Sequence, residues 1–186
     1  MKTQPELELL NRLKLPAMRQ QGIIVKNIDQ SLPYYRQVLN INPWYRIHFV
    51  EEEIYYEGRR IDLNLKIAVG YSGPLQFELI EVVRGEDNIY TELINTQGQG
   101  LHHIGFVVSN IEKKTEMLRN AGFSPIQHGV LKTKGNTVIR FAYFDTMASF
   151  GFILELIETT LFGINVGMSR FMCKIGTLIG ELEVLS

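Results

Sequence analysis

Four polar residues interrupt apolar, strand-like stretches of this chain: Gln20, Glu78, His103 and Glu155. A carboxylate on the buried face of a strand is costly unless it is paired or bound to a cation. Two facing carboxylates repel each other, and each tends to stay protonated. A divalent metal ion removes this repulsion. One imidazole nitrogen, two carboxylates and an amide oxygen suit a first-row metal such as Zn, Ni, Co, Mn or Fe, so these residue types predict a metal site.

Two adjacent histidines stand near the start of the stretch from Gly100 to Val108, which is rich in β-branched residues and predicted to be a strand. Neighbouring side chains in a strand point to opposite faces, so we predict that His103 faces inward and His102 faces away. A single inward histidine is more often a hydrogen-bonded core residue than a ligand, so the prediction depends on partners elsewhere. In the opposite register, the inward-facing residues would offer no metal site. They would be Gln21, Leu79, His102 and Leu156.

An internal repeat indicates that the four polar residues occupy matching positions. The pattern of residues 22–29 recurs 83 positions later, which aligns Gln20 with His103. A second match, 77 positions apart, aligns Glu78 with Glu155. Each copy has the order strand, helix and three strands. We therefore predict an α+β fold in which two βαβββ modules form a curved eight-stranded cleft, followed by a C-terminal helical extension.

The predicted organisation has five parts, which follow the repeat and the changes of pattern on either side of it. They are an N-terminal helical segment at 1–16, a first module at 17–83, a connecting segment at 84–99, a second module at 100–160 and the C-terminal helical extension at 161–186. The extension is predicted to be helical because its apolar residues recur at helical spacing, although glycines interrupt it. We expect it to cover a sheet edge or a dimer seam.

Composition and charge disfavour several classes of protein. The chain has 186 residues and a formal charge of −1, with no long run of Lys or Arg, which argues against nucleic acid as a partner. The single cysteine, Cys173, excludes an internal disulfide and a Cys-based zinc site, and it fits a cytoplasmic location. The N-terminus has no apolar core like that of a signal peptide, and no apolar stretch is long enough to predict a membrane span.

The motifs resemble those of the vicinal oxygen chelate superfamily, which includes glyoxalase I, methylmalonyl-CoA epimerase, extradiol dioxygenases and the fosfomycin- and bleomycin-resistance proteins. The resemblance covers roughly residues 18–158 and is carried by the segments at 20–29, 77–81, 98–105, 141–146 and 154–158. It implies that four residues take the metal positions of the superfamily, namely Gln20, Glu78, His103 and Glu155.

Individual members of the superfamily match less completely. The Gln, Glu, His, Glu set is similar to glyoxalase I of the eukaryotic type, but the Arg and Asn with which that enzyme binds glutathione are replaced here by Ile24 and Val82. The sequence around His103 looks more like the epimerases, which usually carry His where this chain has Gln20. Extradiol dioxygenases use two histidines and one carboxylate, and only one of those histidines is present.

The resemblance implies a metal-dependent lyase or isomerase that transfers a proton α to the carbonyl of a small metabolite or acyl thioester. Glu155 or Glu78 is the expected base. We expect a small-molecule substrate and a homodimer. Two alternatives remain open: a non-catalytic small-molecule-binding protein of the bleomycin-resistance type, and an iron-dependent dioxygenase.

Overall fold

The computed structural model describes residue 8 and residues 11–185. The predicted N-terminal helical segment at 1–16 falls partly on residues 1–7, 9 and 10, which lie outside the described residues. Residues 11–13 are helical, and Leu13 is buried in an apolar cluster of the second half of the chain. The Lys114 ammonium donates a hydrogen bond to the Leu13 carbonyl, which ties this end of the chain to the second module.

Twelve strands and five helices are present in the described part of the chain. The strands are β1 (Gln20–Ile24), β2 (Trp44–Ile47), β3 (Phe49–Tyr56), β4 (Arg59–Ile61), β5 (Leu63–Ser72), β6 (Leu75–Gly85), β7 (Gly100–Val107), β8 (Pro125–Thr133), β9 (Thr137–Phe144), β10 (Ile153–Leu161), β11 (Ile164–Asn165) and β12 (Leu182–Leu185). The helices are α1 (Ile28–Leu39), α2 (Ile89–Gln97), α3 (Ile111–Asn120), α4 (Met147–Phe150) and α5 (Arg170–Leu178). None of these helices is long and apolar enough to cross a membrane.

All twelve strands belong to one curled sheet, in the order β12-β2-β5-β6-β1-β7-β10-β9-β8-β3-β4, with β11 added to β10. The two halves of the repeat have the same internal order, β1-β6-β5-β2 and β7-β10-β9-β8, and they join through the antiparallel pair β1 and β7. The α+β class with a curved sheet is therefore confirmed. The predicted count of eight strands is wrong, because β3, β4, β11 and β12 extend the sheet.

The repeat also includes the helix caps. The Asn27 side chain accepts a hydrogen bond from the backbone N–H of Gln30 at 2.8 Å, and Asn110, 83 positions later, accepts one from Lys113 at 3.1 Å. An asparagine cap stabilises a helix by about 1 kcal/mol relative to alanine. These caps begin α1 and α3, whose apolar sides pack on the convex face of the sheet, so the concave face stays free for a site.

The first module departs from the predicted βαβββ pattern because its second strand is divided. Residues 44–56 are extended except at His48, whose backbone N–H donates to the Glu181 carbonyl at 3.0 Å. Before the break, β2 pairs with β5 in the first module, and after it β3 pairs with β8 in the second. The chain thus passes directly from the outer strand of the first module to the outer strand of the second, so the two modules are also connected at their outer edges.

The C-terminal helical extension predicted at 161–186 is only partly helical. Residues 162–185, called the C-terminal strap below, contain β11, the nine-residue helix α5 and β12, which pairs with β2. The glycines on either side of α5, Gly167 and Gly180, have φ values of 61° and 76°, a conformation that L side chains rarely adopt and that ends regular structure. The helical prediction failed because apolar spacing alone does not show where a chain turns.

Candidate metal and proton-transfer site

The structure brings the four predicted residues together on the concave face of four adjacent strands, β6, β1, β7 and β10. The Nε2 atom of His103 lies 3.2 Å from Gln20 Oε1, 3.0 Å from Glu155 Oε2 and 3.6 Å from Glu78 Oε2. All four side chains are buried, and His103 is 0 % exposed. Three oxygen atoms from three strands therefore face one imidazole nitrogen.

Two glycines make room for this cluster. A β-carbon on Gly22 would lie 1.8 Å from the His103 ring, and one on Gly105 would lie 2.7 Å from Gln20 Oε1. Both distances are far shorter than an ordinary van der Waals contact, so a side chain at either position would force its neighbours to move. Gly22 and Gly105 are equivalent positions of the repeat, so each module supplies the space for a polar side chain of the other.

The prediction that His102 faces away from His103 is wrong. Its Nδ1 atom lies 3.0 Å from the Nδ1 atom of His103, and it is buried against the ring of Tyr90. The cause is a bulge in β7: Gly22 pairs with His103 and the next residue, Ile23, pairs with Leu101, so His102 is an extra residue. A bulge interrupts the alternation of side chains and can re-aim one of them.

A hydrogen-bond chain orients the Gln20 amide. Its Nε2 group donates to Gln76 Oε1 at 2.8 Å, and the Gln76 amide in turn contacts the Tyr71 hydroxyl. The thiol of Cys173, on α5, lies 3.9 Å from the same hydroxyl. Because the amide nitrogen of Gln20 is engaged in this way, its oxygen points toward His103.

Burial and mutual repulsion shape the ionisation of the cluster. Burial, followed by the charge of Glu155, raises the pKa of Glu78 to about 8, although His103 opposes the shift. Burial by itself would lower the pKa of His103, but the neighbouring Glu155 and Glu78 carboxylates raise it above its ordinary value. Burial lowers the pKa of His102 well below its ordinary value, so this second imidazole is neutral and its Nδ1 lone pair can accept a hydrogen bond.

The donor set of the cluster fits a divalent cation in chemistry and spacing. No group of three or more His, Cys, Asp or Glu within residues 11–185 is already arranged as a metal-binding cluster. With Gln20 included, however, one nitrogen and three oxygens converge, and Glu155 Oε2 has no hydrogen-bond partner among the described residues apart from the His103 ring. Neighbouring ligands about 2.1 Å from one ion are about 3.0–3.4 Å apart in octahedral or tetrahedral geometry. The distances from His103 Nε2 lie in or near this range.

The cluster faces a partly open cavity of about 110 Å³ between the sheet and the C-terminal strap. Gln20, Glu78 and Glu155 line one end of it, together with Tyr90 and Tyr143, whose hydroxyl groups are 3.1 Å apart. Burial raises the pKa of both tyrosines well above the ordinary value, so both hydroxyls keep their protons.

The acidic run in β3 does not contribute to this cavity. Glu51 forms an ion pair with Lys132 at 2.8 Å, and Glu53 accepts a hydrogen bond from the Tyr55 hydroxyl at 2.7 Å. Neither carboxylate lines the cavity.

Sequence reasoning missed the residues around the cluster, including Tyr71, Gln76 and Tyr90. One signal was available for the first two: they flank the turn-forming residues Ser72, Gly73 and Pro74, and a hairpin there places them opposite each other, as the structure does. Tyr143 also lines the cavity.

One curled sheet built from two repeated modules is typical of a known class of protein. A family model described as "Glyoxalase/Bleomycin resistance protein/Dioxygenase superfamily" matches residues 19–143. The chain belongs to this superfamily, which confirms the resemblance found in its motifs. None of the curated protein sequences matches the chain significantly.

Solved structures with the same fold include three that are similar over about three quarters of this chain. A hypothetical protein from Bacillus halodurans C-125 is 23% identical, with a TM-score of 0.52, covering 75% of this chain and 91% of that one. Methylmalonyl-CoA epimerase from Mycobacterium tuberculosis is 17% identical, with a TM-score of 0.53 and coverages of 77% and 87%. A variant of the Streptomyces coelicolor epimerase, in complex with 2-nitronate-propionyl-CoA, is 18% identical, with a TM-score of 0.53 and coverages of 77% and 97%.

Proposed function

We propose that this protein is a metal-dependent lyase or isomerase that transfers a proton α to a carbonyl group of a small metabolite or acyl thioester. The observation that carries the proposal is the convergence of two buried carboxyl groups, Glu78 and Glu155, on His103 and Gln20 beside a cavity. Superfamily membership and the structural similarity to epimerases support the same type of reaction.

Gln20, Glu78, His103 and Glu155 would hold a divalent metal ion such as Zn, Ni, Co, Mn or Fe. When bound, such an ion polarises a carbonyl oxygen and makes the adjacent C–H group more acidic. His103 offers Nε2 toward the three oxygens, and in the tautomer that leaves Nε2 free for the ion its Nδ1–H would donate to His102 Nδ1, 3.0 Å away. This second hydrogen bond fixes the ring and the tautomer, as partners of metal-binding histidines generally do.

Glu155 is the proposed base. Its carboxyl group lines the cavity, and its Oε2 atom lies 3.0 Å from His103 Nε2 with no other hydrogen-bond partner among the described residues. A carboxylate has about four acceptor sites, so this group can also accept a proton from a substrate in the cavity. Glu78, which lines the same end of the cavity, is the second candidate for this role. Tyr90 donates to Tyr143, which leaves the Tyr143 hydroxyl to donate to a substrate oxygen.

Proton exchange tests the proposal directly. Protein purified without a chelator or a metal-affinity tag is analysed for metal, then incubated in D2O with a panel of carbonyl compounds and acyl thioesters. We expect about one metal per chain and deuterium incorporation next to the carbonyl. Glu155→Gln should slow the exchange by about 10²–10⁴-fold, the typical contribution of a general base. Glu51→Gln, which changes a carboxylate outside the cavity, should not.

Two results would point to the alternatives. Metal-free protein that binds ligands without exchange would favour a binding protein of the bleomycin-resistance type. Iron content with oxygen uptake would favour a dioxygenase. The homodimer stays a prediction, which sedimentation velocity tests.

A further inference from the structure

We infer that the substrate is a compact, uncharged and largely apolar carbonyl compound that is enclosed under the C-terminal strap, rather than a thioester of a large carrier or an anionic metabolite. The inference rests on the proposed function for the reacting end of the cavity. It adds the class of molecule that the remainder of the cavity can hold.

The walls of the cavity are mostly apolar beyond the reacting end. The apolar residues come from both modules and include Ile47, Ile67, Leu131, Ile139, Phe141 and Ile157. Apolar surface of this kind favours apolar ligands by about 25 cal/mol per Å² removed from water. Of the polar residues in the lining, Thr133 and Thr137 are hydrogen-bonded to Glu181, and Thr159 has a buried hydroxyl without a partner among the described residues, so few groups are left for the polar arms of a peptide or a nucleotide.

The charges of the cavity lining disfavour an anion. Within the described residues, no Lys or Arg lines the cavity, whereas the carboxyl groups of Glu78, Glu155 and Glu181 do. The two carboxylates of the reacting end would balance the charge of a divalent ion, which leaves no net positive charge for a phosphate or a carboxylate of the ligand. An anion would therefore lose its hydration without gaining a cationic partner.

The C-terminal strap covers one side of the cavity. Helix α5 begins at the Ser169 cap, and its residues Met172, Cys173 and Gly176 line the cavity. A β-carbon on Gly176 would lie 2.4 Å from Leu182, so this turn of helix is packed tightly on the segment that follows it. A ligand with a long polar arm could not extend it through this side without displacing the helix.

The strap is fastened to both modules. Strand β12 pairs with β2 of the first module. The buried Glu181 carboxyl accepts hydrogen bonds from the Thr133 hydroxyl, and from the backbone N–H and hydroxyl of Thr137 at 3.2 and 2.9 Å, in the second module. This attachment makes the cover a part of the folded structure rather than a loose end.

The size of the cavity sets the size of the ligand. About 110 Å³ is available for the centres of water-sized molecules. One water needs about 10–15 Å³ on this measure, so the space corresponds to a ligand with on the order of ten non-hydrogen atoms. A six- to nine-carbon dicarbonyl compound has this size, and a coenzyme A thioester is several times larger.

Calorimetric binding tests the inference with four probes: 2,3-hexanedione, 1-phenyl-1,2-propanedione, pyruvate and acetyl-CoA. The protein is used as purified, with its metal content measured. We expect the two neutral diones to bind at least tenfold more tightly than pyruvate, and acetyl-CoA to show no binding. Binding of acetyl-CoA or pyruvate as tight as that of the diones would overturn the inference.

Two variants locate the binding. Ile139→Phe fills the cavity and should weaken dione binding at least tenfold, whereas Ile164→Phe, on the exposed part of the strap, should leave it unchanged. If Ile139→Phe does not fold, Leu131→Ala enlarges the same cavity and should shift the preference toward the larger phenyl dione. Equal dione affinities in wild type and in the folded cavity variant would place the ligand elsewhere and overturn the inference.

Proton exchange, measured on the same probes above the rate without protein, separates this inference from the proposed function. Diones that bind but do not exchange would leave the ligand class intact and remove the proton-transfer reaction. Exchange into acetyl-CoA but into neither dione would retain the reaction and overturn the ligand class.

Discussion

Gly22 and His103 lie directly opposite each other in the pair of strands that joins the two modules, and the missing side chain of the glycine is where the imidazole ring lies. This contact couples the modules more closely than backbone pairing alone. It also ties the backbone of β1 to the position of the proposed metal ligand, which makes the first prediction possible.

Replacing Gly22 with alanine should displace His103 and weaken metal binding. The new methyl group overlaps the ring, and overpacking of this kind costs about 1–3 kcal/mol of unfolding free energy. Urea unfolding and metal content measure the two effects. Gly100→Ala is the matched control, because a β-carbon there meets nothing within 4 Å and its φ is ordinary, so it should change neither quantity.

His102 should contribute to metal affinity without being a ligand. His103→Ala removes the proposed nitrogen ligand and should abolish metal binding. His102→Ala removes only the hydrogen-bond partner of His103 Nδ1 and should weaken metal affinity about 10–100-fold, as loss of a partner behind a ligand generally does. Competition with a chromogenic chelator measures the affinities. Unchanged affinity in His102→Ala would show that the contact between the rings does not orient His103.

Tyr71→Phe should disturb the Gln20 amide through Gln76. The variant leaves the Gln76 amide group without its hydroxyl partner in a buried place, which costs about 1–3 kcal/mol of unfolding free energy. We also expect weaker metal binding, because the Gln20 amide is then held less firmly with its oxygen toward His103. Tyr34→Phe, at a side chain that is 73 % exposed, serves as the control for both measurements. A stability loss with unchanged metal affinity would limit Tyr71 to a structural role.

The stability of the fold should depend on pH through Glu52. Burial, followed by the nearby charge of Asp62, raises the pKa of Glu52 from 4.5 to about 7. The folded protein therefore binds more protons than the unfolded chain between these values, so stability falls as pH rises from about 4.5 to about 7. Above pH 7, Glu52→Gln should be more stable than wild type by about 1 kcal/mol, a value reduced because the side chain is only half-buried.

Urea titrations at several pH values between 4.5 and 8 check this prediction. Glu51→Gln, on the neighbouring exposed position beside Lys132, provides the comparison. The prediction fails if Glu52→Gln and Glu51→Gln show the same dependence on pH as wild type.

Much of the architecture follows from patterns within the sequence. The repeat, with its offset of 83 residues, predicted two similar modules around one curved cleft, and the structure has two such modules, joined by the pairing of β1 and β7. A period of two assigned Glu78 and Glu155 to the concave face, where they lie. These features were predictable because strand periodicity is a local property and an internal repeat implies similar local folds.

Only the tertiary structure decided the orientation of His102, the division of the strand at His48 and the course of the C-terminal strap. The bulge at His102 depends on hydrogen-bond register with β1, about 80 residues earlier in the chain. The strap is fixed by contacts with both modules, including those of Glu181 with Thr133 and Thr137. Sequence periodicity describes neighbours along the chain. The residues and charges that line this cavity come from segments that are far apart in the sequence. A local sequence pattern does not determine how such segments pack together.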